Sequence, residues 1–267
     1  MVARGSVERR WAEAWRRRWD RQQERYLPDR EERFDAILDA LDHSVARGRG
    51  RHHGGTKPFR FLDLGCGAGA LSERILRRFP GSRGVALDFD PLLMRLGRTA
   101  LPDLADRLTW VDADLRSRGW TSRLPAGRVD AVVSTTALHW LSQAELARVY
   151  RAVADRLRRG GVLLNGDTLH FDARAPTAHD WARQHRGFDL AHSIGSGESW
   201  QEWWTAVKVD PRLATEVRER ATRVSARHER VPPVDVEEHA RLLRRAGFRE
   251  TAVVWSHWEN RVLLAVR

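Results

Sequence analysis

The segment Phe61-Leu-Asp-Leu-Gly-Cys-Gly-Ala-Gly69 constrains this chain more than any other. A short apolar run, Phe59–Leu64, leads into three glycines spaced two residues apart. The amphipathic stretch Leu71–Phe79 follows, with Leu71, Ile75, Leu76 and Phe79 on one face. A strand, a glycine turn and a helix in that order bring bare backbone close to a ligand, because glycine permits both the tight turn and the close approach. The spacing alone does not name the ligand. Gly65, Gly67 and Ala70 even satisfy a relaxed dinucleotide fingerprint.

The rest of the chain extends this alternation. Gly84–Leu87, Leu108–Val111, Val129–Ser134 and Val162–Asn165 read as strands. Pro91–Leu101 reads as a helix with proline near its start, and Gln143–Leu157 as a long helix stopped by Gly160-Gly161. Strands alternating with helices predict an α/β fold, a mostly parallel sheet covered on both faces. A helix over Val236–Ala246 closes at Gly247. Glu250–Ser256 and Arg261–Val266 then stand so close together that they form an antiparallel hairpin.

Two regions break the pattern. Residues 8–25 read as a helix with Trp11, Trp15 and Trp19 recurring every four residues. Pro28 ends it. Asp29 and Glu32 have capping-box spacing for a second helix reaching Val45, and Arg47–Pro58 reads as a loop. Between Leu169 and Val234 lie helical segments at Thr177–Arg186, Ser199–Val207 and Pro211–Arg227, carrying Trp181, Trp200, Trp203 and Trp204. His192–Ser199 reads as a flexible loop between them. An insertion of this size after a core strand is expected to cover a substrate, or else to form a satellite core. The expected organisation is an N-terminal helical extension (1–50), a core (57–168), a helical cover (169–234) and a closing unit (235–267).

The acids narrow the ligand. Asp88, at the end of the second strand, can accept both hydroxyls of a ribose. Asp63, two residues before the glycines, suits an ammonium group better than a pyrophosphate. A reversed final strand after five parallel ones, together with these acids, resembles the pattern of methyltransferases that use S-adenosylmethionine (SAM). Residues ~59–168 and ~236–267 resemble the class I SAM-dependent methyltransferase family, in its small-molecule branch of trans-aconitate methyltransferase-like proteins. The resemblance implies a Rossmann-like seven-stranded sheet and SAM as cofactor. It implies that Asp63, Gly65, Cys66, Gly67, Gly69, Asp88 and Phe89 surround the methionine and ribose. In Val111-Asp-Ala-Asp-Leu115 it assigns adenine to Asp114 and Leu115, with Asp112 as the competing acid. Val132-Val-Ser-Thr-Thr-Ala-Leu-His-Trp-Leu141 resembles the motif lining the methyl-transfer site, which brings in Thr135. His139 is the candidate catalytic base, and Trp140 a wall of the acceptor pocket; both also suit plain packing. Tyr26, Arg30, Trp200 and Trp204 complete the candidate substrate set. Cys66 reads as a small buried filler rather than a nucleophile.

Composition sets the remaining bounds. The net charge is +11, with lysine only at Lys57 and Lys208. The arginines are interspersed with acids, as in Asp29-Arg-Glu-Glu-Arg33, which argues for solvated faces over a nucleic-acid footprint. Arg16-Arg17-Arg18 is the exception. A single cysteine excludes an internal disulfide. The histidines lack paired ligand spacing, so no metal is expected. No apolar run is long enough to span a bilayer, and a cytoplasmic monomer or homodimer is expected. The function expected is methyl transfer to oxygen or nitrogen of a small metabolite, with carboxylates and natural-product hydroxyls favoured. The alternatives are RNA methylation, SAM cyclase or lyase chemistry releasing methylthioadenosine, and SAM binding without catalysis.

Overall fold

A computed structural model describes residues 2–27, 29–46, 58–192, 198–225 and 231–267. Pro28, nearly all of the Arg47–Pro58 loop and residues 193–197 of the His192–Ser199 loop lie outside the described residues. Seven strands form one sheet: β1 (Arg60–Leu64), β2 (Arg83–Asp88), β3 (Leu108–Asp112), β4 (Val129–Thr135), β5 (Leu157–Thr168), β6 (Glu250–His257) and β7 (Asn260–Val266). Their order is β3-β2-β1-β4-β5-β7-β6. The first five run parallel, and β7 is antiparallel to both β5 and β6.

Side chains alternate across this sheet with period two, and both faces are apolar. On one face Phe61, Ala131, Val133 and Leu164 meet α2 (Arg30–Leu41) and α3 (Ala70–Arg78) through Phe34, Ile37, Leu41, Leu71 and Ile75. On the other, Leu62, Leu64, Val132 and Leu163 meet α5 (Gln143–Arg156) and α9 (Val236–Arg245) through Leu146, Val149, Leu242 and Leu243. The second helix of the N-terminal region is thus part of the main core.

Strand order reverses between β1 and β4. The crevice at such a reversal, beyond the strands' C-terminal ends, is where open α/β sheets hold ligands. Both the glycine turn after β1 and the Thr135–His139 segment after β4 open onto it.

A third core joins α1 (Val2–Tyr26), α4 (Pro91–Ala100) and α7 (Trp200–Val209). The tryptophan stripe of α1 finds its partners here. Trp19 lies 5.5, 4.9 and 6.3 Å from Trp200, Trp203 and Trp204. The indole N–H groups of Trp11 and Trp15 both donate to Asp210 Oδ2 at 2.9 Å. The stretch between β5 and α9 also includes α6 (Pro176–His192) and α8 (Ala214–Ser225).

Two local expectations change. Asp29 makes no side-chain cap to α2 and instead pairs with His257 Nδ1 at 2.6 Å. Gly160-Gly161 does not stop α5, which ends at Arg156 and passes directly into β5. The glycines lie inside that strand because neighbouring backbone crowds it: a Cβ on Gly161 would come within 2.8 Å of the Asp130 carbonyl.

Trp203 is fully buried in the third core. Trp203→Ala is expected to cost about 3–5 kcal/mol, the usual loss for a large core aromatic. Urea unfolding followed by far-ultraviolet circular dichroism measures it.

Candidate active site

The glycine turn is fixed from two sides. The N–H groups of Gly65 and Cys66 donate to the Leu87 carbonyl at 2.8 and 3.0 Å, tying the turn to the end of β2. Gly65, Gly67 and Gly69 have φ of 71°, 53° and 77°, the left-handed region that favours glycine. Gly65 is needed for space as well: a Cβ there would sit 2.3 Å from the Ala137 Cβ, so the β1 turn rests against the segment after β4. At Gly67 the nearest atom would be Leu93 Cδ1 at 3.7 Å, so one side of the turn stays open.

The three acids near this turn have separate tasks. Asp88 Oδ2 accepts the Gly67 N–H at 2.7 Å, and Oδ1 accepts those of Phe89 and Asp90 at 2.7 and 2.9 Å. Burial, then the neighbouring Asp90, push its carboxyl up to about 6 against these hydrogen bonds. Asp90 is the N-cap of α4, accepting from Leu92 and Leu93. Asp63 is fully buried on β1; its Oδ2 accepts the Ser72 hydroxyl at 2.7 Å, while Oδ1 has no hydrogen-bond partner among the described residues. Burial raises its carboxyl to about 7. Burial likewise pushes the Cys66 thiol up, so it is not a poised thiolate.

At the loop after β3, Arg223 of α8 takes both oxygens of Asp112 at 2.8 Å and donates to the Phe89 carbonyl at 2.9 Å. Arg220, on the same helix, donates to Asp90 Oδ2 at 2.6 Å. Helix α8 is therefore tied to the ends of β2 and β3. Asp114 Oδ1 accepts the Arg116 N–H at 3.0 Å, and Leu115 packs at the edge of the core.

Beyond β4 the backbone turns sharply. Thr136 has φ of 54°, unusual for a β-branched residue. The buried Arg33 of α2 braces this turn, donating to Thr136 Oγ1 and to Asn260 Oδ1 of β7. Thr135 is half-buried with its hydroxyl 3.4 Å from that of Thr136. Three residues on, His139 Nδ1 lies 2.7 Å from Asp167 Oδ1 at the end of β5, and its peptide N–H donates to Oδ2 at 3.1 Å. Trp140 is 56% exposed, with its ring 4.8 Å from that of His139.

The other candidates take part in packing. The Tyr26 hydroxyl accepts the Trp200 N–H at 3.2 Å. Arg30 pairs with Asp20 at 2.8 Å and stacks over Phe34. Trp200 and Trp204 sit 5.7 Å apart in the α1–α7 aromatic cluster, and Arg220 covers Trp204. Of the Arg16–Arg18 run, Arg16 is buried and donates to the Ala68 carbonyl of the glycine turn and to Glu73, while Arg18 pairs with Glu198.

Sequence reading passed over Asp167, Arg33, Arg223 and Glu259. Only the first left a signal, an acid closing an apolar strand. Glu259, 2% exposed in the β6–β7 turn, accepts His170 Nδ1 at 3.0 Å, His179 Nδ1 at 2.7 Å and Arg186 at 2.9 Å, anchoring α6 to the sheet. Burial pushes its carboxyl up, but the hydrogen bonds from His170, His179 and the Phe171 N–H outweigh it and hold the carboxylate down at about 2.

Comparison with known proteins agrees with this geometry. A family model described as a methyltransferase domain matches residues 61–161. Over that span the chain is similar to class I SAM-dependent methyltransferases. It is 32% identical over 145 residues to a trans-aconitate 2-methyltransferase of Azoarcus sp., covering 54% of this chain and 49% of that one. It is 36% identical over 136 residues to an uncharacterized methyltransferase of Mycobacterium tuberculosis, covering 51% and 55%. The chain thus spans about half the length of the curated relatives it matches. Among solved structures, an O-methyltransferase family protein from Burkholderia thailandensis superposes with a TM-score of 0.52 at 20% identity, over 92% of this chain and 62% of that one. A putative O-methyltransferase from Nostoc punctiforme gives 0.55 at 12%, over 98% and 60%. These two show a shared fold.

The turn makes a graded prediction. Gly67→Ala should cost about 1–2 kcal/mol, the penalty for a left-handed backbone. Gly65→Ala should cost more, because its methyl also collides with Ala137. Thermal unfolding of both variants gives the order.

Proposed function

We propose that this protein transfers the methyl group of SAM to a small-molecule acceptor. The observation that carries the reading is the pairing of an open glycine turn with a buried carboxylate oxygen, Asp63 Oδ1, that has no partner among the described residues. A buried acceptor left unmatched costs free energy, and a ligand ammonium, directly or through water, would relieve it. The donor set fits the cofactor. Asp63 would face the methionine ammonium. Asp88 would accept the ribose hydroxyls, with Phe89 beside it. Asp114 and Leu115 would hold adenine, since Arg223 already engages Asp112.

Bound there, SAM supplies an activated methyl on a sulfonium. The chain's own task is to align an acceptor and exclude water. Thr135, His139 and Trp140 stand at the acceptor side of the crevice. The pinned α8 and the aromatic contacts of α1 with α7 form the cover. A small acceptor is favoured over RNA because several arginines around the crevice are already tied to acids of the same chain. Arg16, Arg18, Arg74, Arg95 and Arg223 each pair with an acid. The names of the trans-aconitate relatives point to the same size of acceptor. No helix of the described residues is long and apolar enough to cross a membrane.

The raised carboxyls make the reading testable. Without ligand, Asp63 and Asp88 titrate near 7 and 6. A cationic ligand favours their ionised forms, so binding releases protons and tightens as pH rises from 5 to 7.5. Calorimetry with SAM in buffers of different ionisation enthalpy should show that release, and Asp88→Ala should lose measurable binding while keeping its fold. Binding with no proton release, or unchanged in Asp88→Ala, contradicts the assignment.

A further inference from the structure

We propose that Asp167 positions His139 as a general base, and that the acceptor is therefore a neutral alcohol or phenol rather than a carboxylate. The inference rests on the methyl-transfer reading above. It begins from two contacts between one residue and one carboxylate. Asp167 Oδ1 lies 2.7 Å from His139 Nδ1, and Oδ2 accepts the His139 peptide N–H at 3.1 Å. Together they fix where the ring sits and how it is rotated. The carboxylate is itself held, since Oδ1 also accepts the Thr168 N–H at 2.9 Å and the side chain is 1% exposed.

An ionised carboxylate facing Nδ1 selects the tautomer with hydrogen on Nδ1 and leaves the Nε2 lone pair available. The imidazole is 32% exposed, unlike a histidine absorbed into a core. His239 shows the contrast: it is buried, its Nδ1 lies 2.6 Å from the Tyr150 hydroxyl, and burial lowers its pKa to about 4.

Two charged groups act on His139, Asp167 from β5 and Arg33 from α2. Burial and Arg33 lower its pKa, but Asp167 outweighs them and the imidazole titrates above its ordinary value. Asp167 is held below the usual carboxylate range by His139 and Arg33, against its burial. Asp167 thus stays ionised wherever His139 titrates.

Acceptor chemistry decides what such a base is for. A carboxylate is already ionised at neutral pH and needs none. A neutral amine attacks through its lone pair and sheds its proton after transfer. An alcohol or phenol gains most, because its O–H bond must break as the new O–C bond forms. In the balanced step the acceptor oxygen bonds to the methyl carbon and the carbon–sulfur bond breaks with its electron pair returning to sulfur. The hydroxyl proton passes to Nε2, and the resulting imidazolium is paired with Asp167.

The test uses the full chain with S-adenosylhomocysteine. Its histidine rings are followed by proton–nitrogen NMR from pH 5 to 9, with His139 assigned by its loss in His139→Gln. The expected result is the Nδ1–H tautomer, a midpoint above that of free histidine, and a lower midpoint in Asp167→Asn. In parallel, methyl transfer from SAM is measured with catechol and 4-hydroxybenzyl alcohol as hydroxyl probes, and with trans-aconitate as the carboxylate probe. Hydroxyl methylation should rise with pH through the His139 midpoint. It should fall about 10²–10⁴-fold in His139→Gln, and Asp167→Asn should lower it while moving the rise to lower pH. The opposite tautomer, a midpoint indifferent to Asp167→Asn, or turnover of trans-aconitate without either hydroxyl probe overturns the inference, as does no turnover of any probe. Failure of S-adenosylhomocysteine to bind would instead refute the cofactor reading, and the ring titration of the unliganded chain would then judge the dyad by itself.

Discussion

The contact between Gly65 and Ala137 is the constraint on which the rest of the site depends. Two chain segments that leave adjacent strands, β1 and β4, meet so closely that not even a methyl group fits between them. The closeness holds the open side of the glycine turn and the His139 segment at one crevice. In the proposed function the two halves depend on each other: the turn would offer backbone to the cofactor, and the segment after β4 would offer the groups that face the acceptor. The left-handed Thr136 turn and the buried Arg33 that braces it belong to the same arrangement.

Charge organises the layer above. In so arginine-rich a chain, the guanidinium groups act as ties between cover and core. Arg16 joins α1 to the glycine turn, Arg220 and Arg223 join α8 to the ends of β2 and β3, and Arg186 joins α6 to Glu259. The partly exposed pairs among these each contribute little to stability. Their effect is to set where the cover sits, over the acids that line the crevice.

How far the sequence reveals this depends on the range of each interaction. The α/β alternation was legible because both sheet faces are buried, which leaves apolar strands between amphipathic helices. The glycine turn and Asp88 were legible because their spacing is local. Asp167 was not, since its partner His139 lies 28 residues earlier and only strand register brings the two together. Arg33 was hidden inside Asp29-Arg-Glu-Glu-Arg33, a run that looks like a solvated helix face, and Arg223 likewise in a charged stretch. The tryptophan stripe was readable as a packing surface, but not its partner helix. The candidate cap at Asp29 failed because His257, far along the chain, competes for the same carboxylate.

In the proposed function the glycine turn and its acids hold a SAM-type cofactor with its reactive end toward His139. A crystal structure of the full chain with S-adenosylhomocysteine tests it most directly. Electron density is expected along Gly65–Gly69, with the amino group near Asp63, the ribose on Asp88, and the sulfur facing the His139 and Trp140 segment. Density for the ligand elsewhere, or a crevice that stays closed at saturating ligand, would contradict it.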